Sequence, residues 1–121
     1  MKILIVDDSK AMRMIVLRHL RQAGYGDADF VEASNGLEGL AQVKAEGPDL
    51  ILSDWNMPEM NGLEFLRKLR SDGDDTPFGF VTSEGTPDMQ ILARDSGAIF
   101  VIAKPFTVET FRETLDAAGV A

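Results

Sequence analysis

Short apolar runs alternate along the chain with longer segments of helical period. Ile3-Leu-Ile-Val6, Asp49-Leu-Ile-Leu52 and Ile99-Phe-Val-Ile102 carry apolar residues on both faces, the mark of strands covered on both sides. Phe30-Val31 with Ala33 makes a shorter run, and Phe78 to Val81 is interrupted by Gly79. A glycine there weakens the strand but permits the close approach of a neighbour. Between these runs, Met12, Ile15, Val16 and Leu20 form one stripe at helical spacing, and Leu37, Leu40 and Ala41 a second. Leu63, Leu66 and Leu69 form a third, and Val108, Phe111, Leu115 and Ala118 the last.

Helix starts are signposted. Ser9 can cap the first helix, Asn35 with Glu38 and Asn61 with Glu64 have capping-box spacing, Thr86-Pro87 opens a fourth helix and Thr107 a fifth. The pattern is therefore (βα)5, an α/β chain. Right-handed crossovers then require a doubly wound, parallel five-stranded sheet with helices on both faces.

The length of 121 residues leaves room for one compact domain, 1–121, and a folded chain of this size exposes about 6,400 Å². Hydrophobic residues make up 45%, too many for a disordered chain, yet no apolar run is long enough to cross a bilayer. The net charge of -8 repels phosphate backbones and anionic lipid, so neither nucleic acid nor membrane is expected as a direct partner. With no cysteine, disulfides, thiol nucleophiles and zinc-thiolate sites are excluded. Met1-Lys2 runs directly into a strand with no signal-peptide layout, which points to the cytoplasm.

The polar residues at the strand ends carry the candidate chemistry. Asp7 and Asp8 follow the first strand, Asp54 the third, Thr82 and Ser83 the fourth, and Lys104 the fifth. In a parallel sheet those ends share one edge, where open α/β sheets place their ligands. Three crowded carboxylates favour a cation, and an oxygen-only set suits a hard ion, Mg²⁺ or alternatively Mn²⁺. An Asp nucleophile, a divalent ion, a hydroxyl and a lysine suffice for phosphoryl transfer. Asp54-Trp-Asn56 starts with calcium-loop spacing, but Pro58 and the lack of a glycine at the sixth position rule that out. Gly36-Leu-Glu-Gly39 lacks the third glycine of a dinucleotide fingerprint. His19 reads as a surface or boundary residue, Met12 and Met14 as packing, and Met57 and Met60 as shaping the loop after Asp54.

Four motifs, in order and spacing, are similar to one family. Asp7-Asp8, Ser53-Asp54-Trp55-Asn56-Met57-Pro58-Glu59-Met60-Asn61-Gly62, Val81-Thr82-Ser83-Glu84 and Lys104-Pro105-Phe106 resemble the CheY-like receiver domain of two-component response regulators. The resemblance runs from about Lys2 to about Ala118 and implies a flavodoxin-like strand order, 2-1-3-4-5. It implies that Asp54 accepts a phosphoryl group from a phosphohistidine on a sensor histidine kinase. Asp8, Asp54 and the main-chain carbonyl of Asn56 would bind Mg²⁺ directly, with Asp7 acting through a coordinated water. Thr82 and Lys104 would contact the phosphoryl oxygens, and Lys104-Pro105 would be cis.

The resemblance further implies a signalling protein and not an enzyme, with Mg²⁺-dependent self-phosphorylation from a phosphodonor and slow self-dephosphorylation. A monomer without an effector domain would act by binding another protein. The flagellar motor switch protein in chemotaxis is the first expectation, and a phosphorelay intermediate or phosphate sink is the alternative. A phosphatase is a further partner. A haloacid-dehalogenase-like phosphatase is disfavoured because that family places a second Asp where this chain has Asn56, and a flavin carrier because the first loop is acidic. One departure from the receiver pattern stands out. The aromatic switch position, three residues before the lysine, is Val101; Phe100 is offset by one and belongs to the opposite face of its strand.

Overall fold

The computed structural model describes residues 1–120. Five strands, β1 (Lys2–Val6), β2 (Asp29–Ala33), β3 (Leu50–Ser53), β4 (Phe78–Thr82) and β5 (Phe100–Ala103), alternate with five helices. These are α1 (Lys10–Leu20), α2 (Gly36–Glu46), α3 (Gly62–Ser71), α4 (Pro87–Asp95) and α5 (Val108–Ala117). The strands are parallel throughout, in the order β2-β1-β3-β4-β5, which is the doubly wound arrangement. The accessible surface is 6006 Å², close to the value expected for a folded chain of this size.

Two apolar layers sandwich the sheet because alternate strand residues point to opposite faces. Ile3, Ile5, Leu50, Leu52, Phe100 and Ile102 meet Val16, Leu17 and Leu20 of α1 and Phe111 and Leu115 of α5. Leu4, Val6, Ile51, Phe78 and Phe80 meet Phe65, Leu66 and Leu69 of α3 and Ala93 of α4. Ser9, Asn35, Asn61, Thr86 and Thr107 all cap their helices through side-chain oxygens. At α3 the capping box is complete. At α2 it is displaced by one residue, since Glu38 reaches back to the N–H and hydroxyl of Ser34 and not to Asn35.

Two helix faces differ from the apolar pattern. On α2 the buried positions are Gly36, Gly39 and Val43, whereas Leu37 is half exposed and Ala41 faces outward. The helix needs glycines there because it lies against α3: a Cβ on Gly39 would come within 2.8 Å of the Phe65 ring. On α1 the buried stripe is Val16, Leu17 and Leu20, with Ile15 and Met14 turned to solvent and Met12 half buried against the core. After Leu20 the chain continues through a short kinked segment, Arg21–Tyr25, broken by Gly24 at φ 109°.

Arg70 of α3 fastens the edge of the sheet opposite the strand carboxyl ends. Its guanidinium donates to the carbonyls of Asp74, Thr76 and Gly97, each at 2.9 Å, and so joins the α3–β4 connection to the turn before β5. Gly97, at φ 108°, lies so close to Arg70 that a Cβ would fall 2.7 Å from its Nε.

Candidate functional site

The strand carboxyl ends are drawn together by main-chain hydrogen bonds. Asp7 N–H donates to Ala33 O at 3.1 Å, Asp54 N–H to Val6 O at 2.8 Å, and Lys104 N–H to Thr82 O at 2.7 Å. Each bond extends the ladder one step past a strand, so the residue types at those steps determine what faces the crevice. The result places Asp7, Asp8 and Asp54 together, with one carboxylate oxygen of each lying within 4.8 Å of the others. Lys104 projects into the same space, its Nζ 3.5 Å from Asp7 Oδ2 and 4.0 Å from Asp54 Oδ1.

Burial sets the electrostatics. Asp7 is nearly enclosed, Asp54 half buried and Asp8 exposed. Loss of water pushes the Asp7 carboxyl above its ordinary value, with Asp8 adding to the rise; the Ser9 amide and Lys104 oppose it. Burial likewise raises Asp54, reinforced by Asp7 and Asp8 and opposed by Lys104 and the Trp55 amide. A single lysine thus compensates three acids incompletely. The donor set, all oxygen with surplus negative charge and no His or Cys, fits a hard divalent cation.

Thr82 is fully buried, and its hydroxyl oxygen accepts the Glu84 N–H at 3.3 Å. The Trp55 main-chain N–H donates to Asp54 Oδ1 at 2.8 Å, and its ring packs on Phe80, with centroids 4.6 Å apart. Asn56 is exposed on the loop after Asp54. That loop is pinned at its far end, where Gly62 N–H donates to Trp55 O at 2.8 Å, and at its middle, where Gly36 N–H donates to Met60 O at 3.0 Å. Glu59 adopts φ 67°, a left-handed conformation uncommon outside glycine. The Lys104–Pro105 peptide is cis. Beside Lys104, Met12, Ile15, His19, Pro105 and Phe106 line an apolar groove of about 410 Å³, in which His19 meets the Phe106 ring edge-on at 5.0 Å.

Asp7, Asp8, Asp54, Thr82 and Lys104, singled out from the sequence, all lie at this edge of the sheet. Three further contacts were not visible there: the Ser9 N–H on Asp7 Oδ1 at 2.9 Å, the Ser53 hydroxyl on Asp54 O at 2.9 Å, and Arg13 Nη1 on Asp7 O at 2.7 Å. The first two follow from local chain geometry. Arg13 carries no sequence signal beyond standing one turn inside α1.

Phe100 and Val101 lie on opposite faces. Phe100 is buried on the α1–α5 side and Val101 half buried on the α3–α4 side. Gly79 pairs with Phe100 across β4 and β5, and the ring fills the space a Gly79 side chain would take: a Cβ would lie 2.6 Å from Cδ1 and nearer still to Cε1 and Cζ.

An open parallel α/β sheet with an acidic triad and a lysine at its carboxyl edge defines a class of small domains that handle a cation and a phosphoryl group. The match to the response regulator receiver domain spans residues 3–116, and the chain belongs to that family of phospho-accepting signalling proteins. It is 40% identical over 119 residues to the chemotaxis protein CheY1 of Helicobacter pylori, covering 96% of this chain and 94% of that one. It is also 40% identical to the CheY homolog of Campylobacter jejuni, at 96% and 90% coverage. Among solved structures, CheY4 of Vibrio cholerae superposes with a TM-score of 0.84 at 35% identity, covering 97% of both chains. The receiver domain of the response regulator NarL from Mycobacterium tuberculosis gives 0.86 at 28% identity, covering 99% of this chain and 97% of that one. No helix among the described residues is long and apolar enough to cross a membrane.

Proposed function

We propose that the chain is a chemotaxis response regulator of the cytoplasm that takes a phosphoryl group onto Asp54 from a histidine kinase and then binds the flagellar motor switch. The convergence of Asp54, Asp7, Asp8 and Lys104 at one edge carries this reading, in a chain 40% identical to two CheY proteins. Asp54 Oδ attacks phosphorus in line, the phosphorus–nitrogen bond breaks, and the imidazole leaves with the electron pair. Asp8, Asp54 and the Asn56 carbonyl would hold Mg²⁺, and Asp7 would act through a water. The Asn56 carbonyl accepts no main-chain hydrogen bond among the described residues. When bound, the ion neutralises charge that builds on the transferring group.

Lys104, already between Asp7 and Asp54, pairs with one phosphoryl oxygen, and the Thr82 hydroxyl donates to another. Because the same hydroxyl oxygen accepts the Glu84 N–H, drawing Thr82 towards the phosphoryl group pulls the loop from Ser83 to Pro87 with it. The new charge of about -1.5 to -2 at Asp54 is thereby carried to the α4–β5–α5 surface. The groove between α1 and Phe106 offers the kinase an apolar landing beside the acceptor. Output runs through a protein partner engaged by a monomer.

Labelling by a phosphorylated kinase or acetyl phosphate tests the reading. Wild type is expected to label only with Mg²⁺, Asp54→Asn not at all, and Lys104→Ala to label but fail to engage its target. Equal labelling of wild type and Asp54→Asn would move the acceptor elsewhere.

A further inference from the structure

Arg13 is a partly buried cation for which the proposed chemistry has no use. Its side chain is 14% exposed, its Nη1 donates to the main-chain carbonyl of Asp7 at 2.7 Å, and its Nε pairs with Glu32 Oε1 at 2.9 Å. The backbone N–H of Arg13 donates to Ser9 O at 3.0 Å, and the Ser9 N–H donates to Asp7 Oδ1 at 2.9 Å. Three of these four contacts, all but the pair with Glu32, close the turn from Asp7 to Arg13 on itself. Asp8 lies between the fixed points, and among the described residues its carboxylate has no hydrogen bond or ion pair of its own. The place from which that side chain projects is therefore set by the turn.

We propose that Arg13 is a positioning residue for divalent-cation binding, holding the Asp7 carbonyl so that the Asp7 and Asp8 carboxylates face Asp54. The inference rests on the metal-binding reading above. A guanidinium suits the task because its planar fork engages two acceptors at a fixed angle, which an ammonium cannot do. Glu32 takes the second arm, aiming the first at the carbonyl and offsetting a positive charge that would otherwise oppose an incoming cation. The pair ties α1 to β2, so the turn is braced by the sheet and not only by its own helix.

Mg²⁺ affinity, measured by calorimetry and by Trp55 emission, together with melting of the metal-free protein, separates this role from a purely structural one. Arg13→Gln is expected to raise the Mg²⁺ Kd by about 10-fold or more, the usual effect of losing a partner that orients a metal ligand. Arg13→Lys should fall between, and Glu32→Gln should show a smaller rise. Lys68→Gln breaks the exposed Lys68–Asp72 pair, remote in sequence from the turn, and should leave the Kd unchanged. If Arg13→Gln proves unfolded, Arg13→Lys and Glu32→Gln carry the test. Variants that melt earlier yet bind Mg²⁺ like wild type would overturn the proposal and leave Arg13 a brace for stability only. A folded wild type that binds no Mg²⁺ would instead overturn the metal-binding reading, and this inference with it.

Discussion

Gly79→Ala tests whether the Phe100 ring is locked or free to swing. The substitution adds one methyl group where the ring of Phe100 already stands, with Cδ1 2.6 Å from the new carbon and two ring atoms nearer. Gly79 is on β4, paired on both sides, and Phe100 is on the edge strand β5, so the strands can part only by loosening the β4–β5 ladder. If the ring tilts within a strained core the cost is about 1–3 kcal/mol. If it leaves the core altogether, the loss approaches the roughly 3–5 kcal/mol typical of deleting a buried phenyl. The lower regime, near 2 kcal/mol, moves a urea midpoint by about 1 M for an m-value of about 2 kcal/mol/M. Unfolding followed by circular dichroism and Trp55 emission reads that shift. Phe100→Ala should relieve the clash, so the double variant should be more stable than the sum of the single losses predicts, with a coupling of about 0.5–3 kcal/mol. A Gly79→Ala midpoint within error of wild type would refute the argument. The ring would then have room to move, and Phe100 would become a candidate for the aromatic switch that Val101 cannot provide.

Two further outcomes follow from the structure. Asp74 Oδ1 accepts the hydroxyl and N–H of Thr76 at 2.6 and 2.9 Å, and the hydroxyl bond foremost holds the carboxyl below its ordinary value of 3.8. A depressed folded value stabilises above the ordinary carboxylate range and ceases to do so as pH falls through it. Asp74→Asn should therefore lower the melting temperature by a few degrees at neutral pH, for a loss of about 1 kcal/mol, and by less in acid; a gap constant with pH would count against it. Val101→Ala removes two methyl groups from a half-buried side chain, a loss of about 1 kcal/mol that limits any weakening of target binding to roughly fivefold. Fluorescence anisotropy with the target measures this, and a hundredfold loss would make Val101 a switch residue after all.

The fold was legible because five apolar runs and five capped helical stripes allow only one economical arrangement, and strand order followed from the resemblance. Boundaries slipped where pairing and burial part company. Asp49 donates its N–H to Lys2 O and accepts the Lys2 N–H on its carboxylate, yet it precedes β3; Ile99 bonds to Phe78 O ahead of β5. The α2 face was misread in part for a physical reason: two of its three buried positions are glycines, which carry no hydrophobic signal but let Met60 and Phe65 approach. At the site, the acids, Thr82 and Lys104 stood out as polar residues ending apolar runs. Arg13 did not, because its partner is a main-chain carbonyl, and a carbonyl leaves no trace in the sequence.

The Arg70 staple gives the molecule two unequal rims. At one, a guanidinium collects three carbonyls and joins the chain on either side of β4; at the other, short polar connections carry Asp54 and the loop from Ser83 to Pro87. Stability and chemistry are thus held by different ends of the same strands. Amide exchange should be slow around Thr76 and Gly97 and fast around Glu84 and Gly85. A substitution at the anchored rim is therefore expected to register in folding stability, and one in the loop from Ser83 to Pro87 in binding, with the fold intact.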